Sequence, residues 1–398
     1  MATDNNNKVL NVPNLRFPEF TEEWKKDSLK DVASISKGLG ISKEQLSDSG
    51  LPCILYGELY TKYKSEVITD IYSKTDIETK GLVSSKANDV IIPCSGEAAI
   101  EIATARCVPV SNILLGGDLN IIRLNGQDGR FFAYQLNGKR KIDIAKVAQG
   151  VSVVHLYGEH LKKIKIAYPS MEEQTKIAEM LSLIDRRIST QNKIIEKLES
   201  LIKGICNKLL FADNGKPVRL IDILTERTEK TKENNQHEVL SSTVKGIFSQ
   251  REYFSKDIAS ENNIGYKIIR LYDIVLSPQN LWMGNINYNE KFKVGIVSPS
   301  YKIFSIKAEY DKRFVAFMLK THRALYNYML VSEQGASVVR RNLNMEAFEQ
   351  LLFKMPPYNK QREMGKTLSL LQTRLELESK IKLNYEQQKK HLLTEMFI

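Results

Sequence analysis

Over residues 172–211 the apolar side chains Ile177, Leu181, Ile184, Ile188, Ile195, Leu198, Ile202, Ile205 and Leu209 recur at alternating steps of four and three, broken at the seam only by Gln191. This is the spacing of a long helix that lays one stripe against another helix. With Pro169 ahead of it and no interior proline, such a helix can run unbroken for roughly 60 Å at about 1.5 Å per residue. The opposite face carries Arg186, Arg187, Lys193, Glu196, Lys197 and Glu199. A helix so charged on one side is not enclosed in a globular core; that face meets solvent or a partner.

The stretch occurs twice. Pro169, Gln174, Leu181, Ser182 and Leu183 reappear 187 positions later as Pro356, Gln361, Leu368, Ser369 and Leu370. In the second copy Met364, Leu368, Leu371 and Leu375 keep the seam, after which Glu378, Lys382 and Lys389 stand where apolar residues belong. The second helix is therefore expected to lean antiparallel on the first rather than to form an equal pair. The repeat also extends upstream: Arg130-Phe131-Phe132-Ala133-Tyr134 resembles Arg313-Phe314-Val315-Ala316-Phe317, and Gln149-Gly150-Val151-Ser152-Val153-Val154 matches Gln334-Gly335-Ala336-Ser337-Val338-Val339. Spacings of 183 to 185 in these segments place insertions in loops. Each copy is thus a globular half closed by a long helix: 1–168 then 169–211, and 212–355 then 356–398.

Short runs rich in Val, Ile, Tyr and Phe predict strands at 51–56, 90–93, 99–104, 119–124 and 164–168 in the first half, with a helix over 131–141. The second half predicts strands at 267–269, 274–276, 294–297 and 302–306, then a helix over 312–331. The fold class expected is α+β, and the Asp-Asn-Gly-Lys-Pro order within 212–217 reads as the turn between the halves.

A net charge of +11 and a pI near 9.2 favour a polyanion partner, nucleic acid first. No apolar run approaches the roughly 20 residues of a membrane span, and the polar start at 1–8 is unlike a signal peptide, so a soluble, cytoplasmic protein is expected. Cys53, Cys94, Cys107 and Cys206 show neither disulfide nor zinc spacing.

Three stretches imitate catalytic motifs. Met355-Pro356-Pro357-Tyr358 has the outline of an amino-methyltransferase loop, but Met355 cannot hold an amino group, and a strand-to-helix turn accounts for the prolines. Gly365-Lys366-Thr367 would need a glycine at position 360 to cradle phosphate, where Lys360 stands. Glu78-Thr79-Lys80, after Asp70 and Asp76, has a nuclease-like spacing that arises readily by chance in a chain that is 26% charged. No catalytic residue and no metal site is expected.

Binding is better supported. Tyr63 and Lys64, Gly138-Lys139-Arg140-Lys141, the Lys162/Lys163/Lys165 group and Arg340-Arg341 combine cations with groups able to reach phosphates and base edges. Each alone is as readily a solvated surface. The Gln149 to Ser152 stretch, with His155 beyond it, and its counterpart Gln334 to Ser337 carry a glycine, a hydroxyl and an amide at one equivalent loop of both halves. Glycine permits close approach to a DNA strand, Ser can bond a phosphate and Gln can pair with adenine.

Two variable halves, each closed by a similar long helix, resemble the specificity subunit of type I restriction–modification enzymes. So do Pro13-Asn14-Leu15-Arg16-Phe17-Pro18-Glu19-Phe20 with Trp24, and Pro169-x-x-Glu172-x-Gln174. Asn359-Lys360-Gln361 departs from that pattern by lacking the acid. The resemblance implies a non-catalytic reader of double-stranded DNA. Each half would read one part of a split, asymmetric site, and the helices would pair as an antiparallel coiled-coil spacer. It also implies that the helices, through Gln174, Leu181, Ile184, Gln361, Leu368 and Leu371, dock two adenine-methylating modification subunits, to which restriction subunits are added. S-adenosylmethionine, Mg²⁺ and ATP would belong to those partners, with no cofactor in this chain. The rival readings are a diverged methyltransferase or nuclease, which would bind S-adenosylmethionine or a metal by itself, and a coiled-coil adaptor indifferent to DNA sequence.

Overall fold

The computed structural model describes residues 10–210, 215–253, 262–334 and 341–398. The chain forms two compact units, Met1–Asn192 with Lys380–Ile398, and Lys193–Ser379. The long helices are Met171–Leu210 and Tyr358–Glu395, so each unit holds the beginning of one and the end of the other.

The first unit is built on an antiparallel sheet in the order Ala33–Lys37, Leu119–Leu124, Asp89–Pro93, Arg106–Val108. Side chains alternate across it. Val90, Ile92 and Ile122 enter the main core, while Ile91 and Ile121 enter a second cluster with Ile54, Leu59 and Leu115. The helix Gly129–Asn137 joins the main core through Phe131, Phe132 and Tyr134, and starts where the Asp128 carboxylate accepts from the Arg130 N–H at 2.8 Å. Strand Lys25–Ser28 pairs antiparallel with Lys165–Tyr168, the strand leading into the first long helix.

The opening motif has a structural role here. Arg16 grips the buried Glu173 carboxylate with Nε and Nη2, both at 2.7 Å, and the Trp24 indole N–H reaches it at 3.4 Å. The end of the second long helix completes the same core: Leu392, Met396 and Phe397 are buried, and the Phe397 ring lies 6.3 Å from that of Trp24 and 5.1 Å from that of Phe131.

Within this unit the helices run antiparallel, Asp185 meeting Lys389 at 2.5 Å and Arg187 lying over the Tyr385 ring. Lys389 also pairs with Glu66, and Asp185 accepts from the Tyr134 hydroxyl at 2.6 Å. The cation at a seam position is thus buried with two carboxylates. Burial opposes its charge, but Glu66 and Asp185 hold the Lys389 ammonium above its ordinary range, whereas burial pushes the Asp185 carboxyl up. Glu378, another charge on the seam, is buried and paired with Arg374 one turn away.

The second unit repeats the plan with a sheet in the order Leu224–Glu226, Lys302–Ile306, Ile274–Leu276, Ile286–Tyr288. Asp311 caps Lys312–Met318 as Asp128 caps its counterpart, and Lys216–Arg219 pairs antiparallel with Leu352–Met355. Asn88 and Tyr272, equivalent in the repeat, both take left-handed backbone angles, φ 77° and 74°.

Three sequence expectations are corrected. Residues 99–104 were expected as a strand; Ala99–Ile102 is a helical turn that leaves Ile100 and Glu101 outside while burying Ile102. The helix expected over 131–141 stops at Gly138 and a separate one, Lys141–Lys146, follows. That over 312–331 breaks at Leu319, and Thr321 caps a second helix, His322–Leu330, through the Ala324 N–H. Among the described residues, no helix is long and apolar enough to cross a membrane.

Candidate nucleic-acid interface

Gln149 and His155 close a tight hairpin by reciprocal backbone hydrogen bonds, 2.9 Å from the Gln149 N–H and 2.7 Å from the His155 N–H. Gly150 makes the turn possible. Its φ is +123°, and a Cβ there would stand 2.1 Å from the Val153 carbonyl oxygen. Gln149, Ser152 and His155 are all exposed, so three of the side chains singled out in the sequence come together. Strand Val154–His155 pairs with Ser95–Gly96, anchoring the hairpin to the unit. At its base the His155 ring stacks on Tyr157 at 6.1 Å, and Lys37 Nζ lies 6.0 Å from the centre of the Tyr157 ring.

The second unit has a hairpin at the equivalent position, where Ser332–Gln334 pairs with Arg341–Leu343 and Gln334 stands opposite Arg341. Ser337 and Arg340 lie outside the described residues. The Arg341 guanidinium lies 4.6 Å from the centre of the Trp282 ring, and among the described residues neither Arg341 Nε nor Trp282 Nε1 has a hydrogen-bond partner. A guanidinium held over an aromatic face is positioned by it while its outer N–H groups stay able to donate. Sequence reasoning missed Trp282; its signal was its rarity, one of two tryptophans in the chain. It also missed Lys37 and Tyr157, which no local pattern marks.

The other candidates divide. Lys64 is exposed, but Tyr63 is a core residue, 5% exposed and packed on Tyr72, so its ring cannot reach DNA. Arg140 is turned inward onto the Ile398 carbonyl and Asp143, and Lys162 is paired with Glu159. These clusters are consequently weaker as cationic surfaces than their sequences suggest.

Of the helix residues expected to face partners, Gln174, Leu181, Ile184, Gln361 and Leu368 are buried against their own units, and Leu371 is half-buried. They fasten the helices to the chain itself. The apolar side chains the helices leave outside include Leu183 and Leu370, which are equivalent in the repeat and 52% and 62% exposed.

The imitated motifs resolve structurally. Met355 is buried at the end of a strand, and the Pro356 carbonyl accepts from Gln361. Gly365 lies inside the second long helix, where a Cβ would stand 2.5 Å from Asp311 Oδ1. It is small because the capping turn presses on the helix. Glu78 and Lys80 are exposed, and among the described residues no His, Cys, Asp and Glu cluster could hold a metal.

Residues 21–200 match the type I restriction modification DNA specificity domain. A Methanocaldococcus jannaschii protein assigned as the MjaX type I restriction enzyme specificity subunit is 23% identical over 426 residues, covering 97% of this chain and 95% of the relative. The MjaVIII specificity subunit of the same organism is 30% identical over 155 residues, 39% of this chain and 35% of the relative. The crystal structure of the type I restriction–modification S subunit from M. genitalium shares the fold, with a TM-score of 0.65 at 17% identity over 97% of this chain and 99% of that one. With the duplicated plan of sheet, hairpin and long helix, the chain is similar to type I restriction–modification specificity subunits, to one of them along nearly its whole length, and it carries the family's DNA specificity domain over residues 21–200.

Proposed function

We propose that this chain is the DNA-reading, non-catalytic subunit of a type I restriction–modification complex, and that its two halves, 1–168 and 212–355, each read one part of a split, asymmetric site. The observation that carries this reading is the equivalent placement of two hairpins, Gln149 opposite His155 and Gln334 opposite Arg341, the first with His155 stacked on Tyr157 at its base and the second with Arg341 over the Trp282 ring. A two-stranded ribbon fits the major groove, where base pairs are distinguishable. Gln149, Ser152, His155 and Lys64 serve the first part, and Gln334, Ser337, Arg340 and Arg341 the second. The net charge of +11 supplies the sequence-independent attraction.

The helices 169–211 and 356–398 space the two halves and dock two modification subunits, which restriction subunits join. Docking uses the outward apolar residues Leu183 and Leu370 rather than the buried seam. S-adenosylmethionine, Mg²⁺ and ATP act on the partner subunits, where methyl transfer and cleavage take place.

The test is an exchange. Residues 12–168 are replaced by those of another family member, and methylated positions are mapped in cells carrying the complex. One part of the recognised site is expected to change and the other to persist. A change in both, or in neither, refutes the modular reading.

A further inference from the structure

Val151 is the most exposed large apolar side chain among the described residues, at 97%, and it stands at the tip of the first hairpin. It has no packing role there, yet the structure beneath it is firm. Two backbone bonds close the hairpin, Val154 is buried under the tip, and the Leu156 N–H donates to the Cys94 carbonyl at 2.7 Å. Two uncovered valines, Val151 and the 53% exposed Val153, on a hydrogen-bonded hairpin give its tip an apolar face that can meet a target outside the chain.

The surroundings favour DNA over protein. From Val147 to Tyr157 there is no acidic residue. Apart from Val153, the residues around Val151 are polar or cationic, with Ser152 beside it and His155, Tyr157 and Lys37 at the hairpin base. Two branched side chains, Val151 and Val153, among hydrogen-bonding groups make a poor protein interface, which needs a broad apolar centre. They are well suited to a groove, where the apolar feature on a base edge is the thymine C5-methyl.

We propose that Val151 reads a thymine methyl in the part of the site recognised by the first half. This rests on the DNA-reading function proposed above. It adds an apolar discrimination to the polar contacts of Gln149 and Ser152, and it makes Gly150 a positioning residue, since only glycine keeps the tip in place.

The test uses the full chain assembled with its modification subunits, and duplexes carrying the mapped site. Each thymine of the first part, on either strand, is replaced in turn by deoxyuridine, which removes only the methyl group. For the unaltered protein one such replacement is expected to weaken binding about three- to ten-fold, as for a buried methyl. Val151→Ala should bind the thymine and deoxyuridine duplexes equally, and so should Gly150→Ala, with its tip displaced. The inference is overturned if no thymine lies in that part, if no replacement matters, or if Val151→Ala keeps the discrimination. It is also overturned if Val151→Ala weakens all sequences alike, as a wedge between bases or a protein contact would. In these outcomes the sequence preference for the first part survives and the DNA-reading function stands. Loss of any preference in the unaltered complex would instead defeat both.

Discussion

The side-chain oxygen of Gln174 accepts a hydrogen bond from the backbone N–H of Asp128 at 3.1 Å, while its Nε2 donates to the Pro169 carbonyl at 3.0 Å. Gln361 repeats the arrangement with the Asp311 N–H at 3.0 Å and the Pro356 carbonyl at 2.8 Å. In each unit one buried glutamine ties the start of a long helix to the capping turn of a shorter one. The Pro-x4-Gln repeat is therefore a clamp.

Replacing either glutamine by alanine leaves a buried backbone N–H and C=O without partners, at a cost of about 1–3 kcal/mol. The chain has two tryptophans, Trp24 in the first unit and Trp282 in the second. Denaturant unfolding followed by fluorescence, with one tryptophan at a time changed to Phe, should show Gln174→Ala lowering the Trp24 transition and Gln361→Ala the Trp282 transition. A loss below about 0.5 kcal/mol in both would contradict the clamp.

Lys389→Ala strands Glu66 and Asp185 as buried carboxylates and is expected to cost about 3–5 kcal/mol. The pH dependence follows from the raised folded-state pKa of Lys389. Its contribution is complete below the ordinary lysine value of 10.5 and is lost as pH rises through the folded value. Thermal melts should show an alkaline step in the unaltered protein that is missing from Lys389→Met.

Phe397→Ala should destabilise the first unit by about 3–5 kcal/mol, the usual cost of removing a buried aromatic side chain. The second unit's transition should stay in place. Separate fluorescence of the two tryptophans again distinguishes them.

Leu183→Glu and Leu370→Glu put charge on exposed positions and should leave melting temperatures nearly unchanged. Assembly with modification subunits, measured by size-exclusion chromatography, should weaken at least ten-fold for the double variant. Full assembly by that variant would remove both leucines from the docking surface.

Arg341→Ala is expected to cost about 1–3 kcal/mol in binding and to relax one position in the second part of the site. Trp282→Ala should reproduce part of that loss by freeing the guanidinium. A uniform weakening at every position, with a shallower salt dependence, would instead mark Arg341 as a phosphate contact.

Much of the fold was legible because it rests on periodicity. Strands Ile274–Leu276, Val294–Val297 and Lys302–Ile306 follow directly from apolar runs, and the first long helix from its heptads. The break at Leu319 was hidden because the residues after it resume a helical pattern, and only the cap at Thr321 marks it. The hairpin at Gln149–Ser152 was legible from its glycine and amide, whereas Gly335 of its counterpart lies outside the described residues. The site was not legible at Tyr63, since an aromatic among lysines looks the same in sequence whether it faces solvent or a core. Nor did the helix seam reveal that its buried positions serve this chain rather than a partner; a stripe shows that a helix is covered, and not by what.

Phe397 and Trp24, in ring contact, are separated by nearly the whole chain. Because synthesis proceeds from the first residue, the core around Trp24 stays open while everything up to Leu392, Met396 and Phe397 is made. The second unit, Lys193–Ser379, contains its own core and is free to condense earlier. The first unit, whose core needs Leu392, Met396 and Phe397, thus closes after the second, and until those residues are made it exposes apolar surface that invites premature association.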